Sequence, residues 1–193
     1  MDYLDLLAHP IRLRIVHAMG GGRLLTTAQL CSRIREASKA TVYRHIDLLV
    51  AGGVLEVAEE RRVRGAVQRH YRLRQDRAVI GSEAVRTLTP GDHQQAFATA
   101  MTALLAEFNA YLDREGADPV ADQVGYRQHS IWLSPAELDE LIGELRAAIA
   151  PRLANRPSPE RGQYLLSPIH FPVEVPQREA EQSAAGADHE TEE

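Results

Sequence analysis

The stretch Ser38-Lys-Ala-Thr-Val-Tyr-Arg-His-Ile-Asp-Leu-Leu-Val-Ala-Gly-Gly53 constrains the chain more than any other. At 100° per residue, Val42, Ile46 and Leu49 fall on one narrow face, which predicts an amphipathic helix with one buried side. Ala40, Thr41, Tyr43 and Arg44 fall on the opposite side. Ser38 is the expected N-cap, and Gly52-Gly53 the expected stop. The outward side offers hydroxyls, an aromatic ring and a cation, the groups that contact base edges and phosphates in a major groove. An ordinary solvated helix has the same pattern, so the flanking sequence must decide.

Upstream, Leu4, Leu7, Ile11, Ile15 and Met19 recur at helical spacing, with Pro10 near a helix start and Gly20-Gly21-Gly22 closing the segment. Thr26 and Thr27 offer N-caps for a short helix burying Ala28, Leu30, Cys31 and Ile34. Arg35-Glu36-Ala37 then turns into the Ser38 helix. Two short helices joined by a few residues form a helix-turn-helix, whose second helix enters the major groove.

After Gly53 the period changes to two. Val54, Leu55 and Val57 form one arm, and Val67, Arg69, Tyr71 and Leu73 one face of the other. Arg61, Arg62 and Arg64 lie at the tip, with Gly65 suited to the turn. A basic hairpin after a recognition helix is a wing that reaches phosphates or the minor groove. An exposed structural hairpin is the alternative.

Charge separates the two halves. Residues 1–80 carry 14 Lys+Arg against 8 Asp+Glu, a net of +6, and residues 81–193 carry 8 against 19, a net of −11. This implies a basic module facing phosphates beside an acidic module with another task. A lone Cys31 excludes an intramolecular disulfide and fits a reducing, cytoplasmic setting. The acidic start predicts no signal peptide, and no apolar run is long enough to span a membrane.

Leu7-Ala-His-Pro-Ile-Arg-Leu-Arg-Ile-Val16 resembles the opening helix of the ArsR-type winged-helix transcription regulators. The block from Ser38 to Leu55 is similar to that family's recognition helix, and the hairpin with Tyr71-Arg72-Leu73 continues the likeness over residues 3–75. The resemblance implies a dimeric, sequence-specific DNA-binding protein, usually a repressor released by a ligand. Metal-sensing members carry a Cys-x-Cys pair on the helix before the recognition helix. Here Cys31 is followed by Ser32 and Arg33, and one thiolate per chain is too few for such a site. Cys31 reads as a small buried hydrophobe, with a sensing thiol as the alternative. His45 reads as packed or capping rather than ligating. No metal and no cofactor are expected.

In the second half, Thr89-Pro90-Gly91-Asp92 opens a long helix over 90–114. Its stripe, Phe97, Met101, Leu104, Leu105, Phe108, Tyr111 and Leu112, is read as part core and part intersubunit surface. A symmetric dimer must set its two recognition helices about 34 Å apart. Residues 125–133 and 163–171 read as strands flanking a helix that opens on the capping box Ser134-Pro-Ala-Glu137, a βαβ-like unit. Tyr126, Trp132, Tyr164 and Phe171 either line a pocket for a small apolar effector or are core aromatics. Residues 176–193 are acidic, poor in large apolar groups and expected to be disordered.

The expected fold class is α+β. Residues 1–80 form a winged helix-turn-helix, 81–175 a dimerisation and effector domain, and 176–193 a tail. Ser38, Lys39, Thr41, Tyr43 and Arg44 are the candidate major-groove contacts, and Arg61, Arg62 and Arg64 the candidate wing contacts. The expected partners are double-stranded DNA and a second copy, with no membrane. Enzyme motifs are absent, so no catalysis is expected. Two rival readings remain: a winged-helix adaptor that binds protein instead of DNA, and a metal or redox sensor acting through Cys31.

Overall fold

A computed structural model describes residues 6–63, 65–77 and 86–174. The chain divides into two units, residues 1–162 and 163–193. Among the described residues, the first holds these elements: α1 (Pro10–Ala18), β1 (Leu25–Thr26), α2 (Thr27–Arg33), α3 (Lys39–Ala51), β2 (Leu55–Val63), β3 (Ala66–Leu73), a 3-10 turn (Gln75–Arg77), α4 (Pro90–Leu112) and α5 (Pro135–Leu153).

Local chemistry sets the helix ends. His9 caps α1, its Nδ1 accepting the Ile11 amide at 3.2 Å, with Pro10 entering the helix where a missing N–H costs nothing. Thr26 caps α2 in a capping box: its hydroxyl accepts the Gln29 amide while Gln29 Oε1 accepts the Thr26 amide. Thr26→Ala should therefore lower the free energy of unfolding by about 1–2 kcal/mol, read by urea denaturation, because it removes that acceptor. α3 ends in a Schellman motif. The Val54 amide donates to Leu49 O at 2.9 Å, the Gly53 amide to Val50 O at 3.0 Å, and Gly53 holds φ at +71°. Gly52 allows a close approach, since a Cβ there would collide with Leu6 Cδ2.

Leu6, Leu7, Ile15, Met19, Leu25, Leu30, Ile34, Val42, Ile46, Leu49, Val54, Leu55 and Tyr71 form one buried cluster joining the helices to the sheet. Ala28 does not join it and is exposed, contrary to expectation. With seven residues, α2 turns only one narrow side inward, and Leu30 and then Ile34 occupy it. The sheet is antiparallel in the order β1-β3-β2. Leu55 pairs with Leu73 and Val57 with Tyr71, then a bulge between Val57 and Glu59 resets the register so that Glu60 faces Arg69 and Val63 faces Ala66. The inward face fades along the hairpin: Tyr71 is 6% exposed and Val67 54%.

The long helix packs differently from expectation. α4 lies on α1 through its small side chains, with Thr99 and Ala103 buried and Ala96, Ala100, Ala106 and Ala110 partly covered. Small residues let two helix backbones approach, which suits a face receiving the long side chains of α1. The apolar stripe points elsewhere: Leu105 stays 61% exposed, Phe97 47% and Leu112 46%. This packing places the expected boundary near residue 80 inside the first unit.

The expected strands at 125–133 and 163–171 are not formed, so the βαβ-like unit is corrected to helix α5 with irregular flanks. A strand is stable only when its backbone groups are paired, and the described sheet is made of β1, β3 and β2, with no strand from either segment. α5 forms because Ser134 and Glu137 cap it reciprocally, yet none of its residues is buried. The α+β class itself stands. No helix among the described residues is long and apolar enough to cross a membrane. The expected acidic tail, residues 176–193, lies outside the described residues.

Candidate nucleic-acid interface

The core side of α3 is Val42, His45, Ile46 and Leu49, all buried. Four inward residues over two turns fix the helix's rotation, so Ser38, Lys39, Ala40, Tyr43 and Arg44 are exposed and Thr41 partly so. The Ser38 hydroxyl accepts the Thr41 amide at 3.1 Å and lies 2.8 Å from the Thr41 hydroxyl. That pair orders the end of the helix that would meet DNA first. No acid stands in the first turn of α3, so the positive helix end and Lys39 are not neutralised locally. All five candidate contacts on this helix are therefore at least partly exposed.

The hairpin projects from the same domain. Arg61 and Arg62 are exposed near its tip, and Arg64 lies outside the described residues. Arg61 is held by Glu59 on its own strand, Nη2 to Oε2 at 2.7 Å. Across the ladder Arg69 pairs with Glu60 at 2.9 Å and Arg72 with Glu56 at 2.6 Å. These exposed pairs contribute little to stability but fix where the cations stand. Arg62 makes no such ion pair among the described residues. Arg62→Ala should accordingly weaken binding evenly across duplex sequences and reduce the log–log salt slope by about 1, measured by fluorescence anisotropy.

Behind the reading face two imidazoles pack together. His9 at the start of α1 and His45 in α3 lie with ring centroids 4.2 Å apart. His45 is 2% exposed, and neither of its ring nitrogens finds a hydrogen-bond partner among the described residues. Burial first, and then the charges of His9, Arg12 and Arg44, push its pKa from 6.5 down to about 4. Burial likewise lowers that of His9, helped by Arg12 and Arg44. The expectation of a packed rather than ligating His45 agrees with this setting. Cys31 is half-buried against the core.

Two helices joined by a tight turn, a supporting first helix and a β-hairpin define a winged helix-turn-helix. A family model described as a helix-turn-helix domain matches residues 7–58, from the residues before α1 into β2. A search of curated proteins returns no match. The helix-turn-helix points to a DNA-binding regulator.

The four aromatics proposed for an effector pocket are largely exposed, Tyr126 78% and Trp132 84% in the first unit, Tyr164 78% and Phe171 65% in the second. Tyr126 packs edge-on against Phe108 of α4 at 6.3 Å. With no sheet formed at 125–133 or 163–171, these four side chains are left largely on the surface of their own units.

Several features escaped the sequence. β1 is two residues long and has no periodicity to read. The pairing of Arg69 with Glu60 depends on the bulge at Val57/Glu59, which resets the residues facing each other beyond it. Arg12 and Arg14 are buried, at 8% and 2% exposure, although charged residues are rarely internal unless paired. For Arg14 the signal was weak, since one partner lies 93 residues away.

Proposed function

We propose that the protein is an ArsR-type, sequence-specific transcriptional regulator that binds double-stranded DNA as a homodimer in the cytoplasm, without catalytic activity. It acts as a repressor released by a small apolar effector. One observation carries the reading. α3 turns Ser38, Lys39, Thr41, Tyr43 and Arg44 to solvent from a rigid core, beside a hairpin bearing Arg61 and Arg62. Selection of duplexes from a random pool tests it. The expected product is a two-fold symmetric sequence with half-sites about one helical turn or a multiple apart, and no enrichment would contradict the reading.

The dimer rests on the unburied apolar faces of α4 and α5. Phe97, Leu105 and Leu112 on α4 are 46–61% exposed with Met101, Leu104 and Phe108 half-buried beside them, and Leu138, Leu145 and Leu153 on α5 are 36–63% exposed. Continuous apolar surfaces of this kind mark interaction sites. A second copy laid along α4 would cover the stripe and bring two winged domains into one assembly. Leu105→Glu should hold the protein monomeric at micromolar concentration in sedimentation velocity while the wild type sediments as a dimer. Its far-UV circular dichroism should be unchanged, because Leu105 is no part of the monomer's core. The effector reading rests on two exposed aromatic pairs, each within its own unit: Tyr126 with Trp132 in the first, and Tyr164 with Phe171 in the second.

The internal pairing of Arg61, Arg69 and Arg72 with Glu59, Glu60 and Glu56 favours one second reading, a protein-binding adaptor. Such a wing is less basic than its arginine count implies. An adaptor would show little affinity for random duplex at low salt. A redox or metal response through Cys31 is tested by Cys31→Ser, which retains normal regulation if the thiol only packs.

A further inference from the structure

Arg14 is 2% exposed and is gripped from two sides. Its Nε donates to Glu107 Oε1 on α4 at 2.8 Å, and its Nη1 pairs with Glu36. Glu36 is the middle residue of the turn Arg35-Glu36-Ala37 and stands two residues before Ser38, the cap of the recognition helix. Glu107 lies one helical turn beyond Ala103, which is fully buried where α4 meets α1. One guanidinium thus joins the long helix to the turn that delivers the reading head.

A guanidinium is planar and rigid, so the orientation that serves one carboxylate constrains its bond to the other. Its burial sharpens this dependence, because a charge shielded from water needs both partners more than an exposed one does. We infer that Arg14 is a positioning residue that transmits the placement of α4 to the N-terminal end of α3. The structure shows the guanidinium bridged between Glu107 and Glu36; withdrawal of Glu107 would leave it held by Glu36 alone. In the first, the turn and Ser38 are fixed in the reading position. In the second, the guanidinium follows Glu36 and the turn loosens. Whatever moves α4, a second copy or a bound effector, therefore biases the geometry of Ser38, Lys39 and Thr41. By linkage, a duplex seated on α3 favours the bridged arrangement in return. The inference deepens the DNA-binding reading, but the structural half of it can be measured without DNA.

The test uses the full chain with Glu107→Ala, Glu107→Gln and Arg14→Lys. Glu107→Ala keeps a good helix former at a position a quarter exposed and leaves Arg14 its Glu36 partner. Amide hydrogen exchange is followed over residues 36–42, with residues 46–50 of the same helix as internal reference. In parallel, affinity is measured for a duplex selected by the wild type and for a random duplex. Glu107→Ala is expected to speed exchange over 36–42 about five- to tenfold while 46–50 are unchanged, and to lower the affinity for selected over random duplex by a similar factor. Arg14→Lys, which keeps the charge but loses the planar fork, should behave alike. Glu107→Gln, which restores an acceptor oxygen, should recover most of the protection. Unchanged exchange over 36–42 in folded Glu107→Ala overturns the coupling, as does uniform loosening of 36–50. If exchange responds as expected while the wild type selects no duplex, the coupling stands and the DNA-binding reading falls.

Discussion

Arg44→Ala is expected to weaken binding to a selected duplex by about 1–3 kcal/mol, roughly ten- to a hundredfold, while affinity for random duplex falls only a few-fold. The argument starts from the rotation of α3. Val42, Ile46 and Leu49, each no more than 1% exposed, leave the helix one way to sit. That orientation exposes Arg44 one turn in from the capped end, beside Tyr43 and within a turn of Thr41. An arginine so placed reaches the guanine edge with two parallel donors, a geometry alanine cannot replace. The fold should tolerate the change, because Arg44 contributes nothing to the buried cluster. Parallel titrations of selected and random duplex, with thermal melting as a control, check the prediction. Equal losses on both duplexes would make Arg44 a phosphate contact only, and no loss on either would remove it from the interface.

The second large effect is expected in acid. His45 is buried and neutral, its pKa held at about 4, whereas in the unfolded chain it titrates near 6.5. The unfolded state therefore binds the proton first as the pH falls. The stability due to the neutral ring is fully present above about pH 6.5 and is lost progressively down to about pH 4. The shift corresponds to about 3 kcal/mol. His9, stacked on His45 and also shifted downward, adds in the same direction. Chemical denaturation at intervals between pH 7.5 and 4.5 should show this fall. His45→Leu should flatten it, since an apolar side chain replaces a ring whose nitrogens are unsatisfied among the described residues. A wild-type denaturation midpoint constant over that range would contradict the account.

What could be read from the sequence follows a physical division between local and distant determinants. The caps at Ser38, Thr26, Thr89 and Ser134 and the glycine stop at Gly52-Gly53 are decided within four residues, and each is formed as the spacing predicts. The reading face of α3 follows from three apolar positions. Features that depend on distant partners were not legible. The stripe on α4 reads as part core and part intersubunit surface; which residues meet α1, alanines and a threonine, is not legible, because that depends on the shape of the opposing helix. The stretches 125–133 and 163–171 read as strands, but a local reading supplies no neighbouring strand to pair them. Nothing local marks Arg14 as internal, because Glu107 reaches it from 93 residues away.

The central claim is that the basic winged domain sits on duplex DNA although the whole chain carries a net charge of −5. Titrating the 193-residue chain against a random duplex across a range of salt concentrations tests this most directly. The account predicts clear binding at low salt and a steep linear fall of log affinity with log salt, with a slope of about −0.9 for each phosphate neutralised. Absence of binding in dilute buffer, or affinity indifferent to salt, would contradict it.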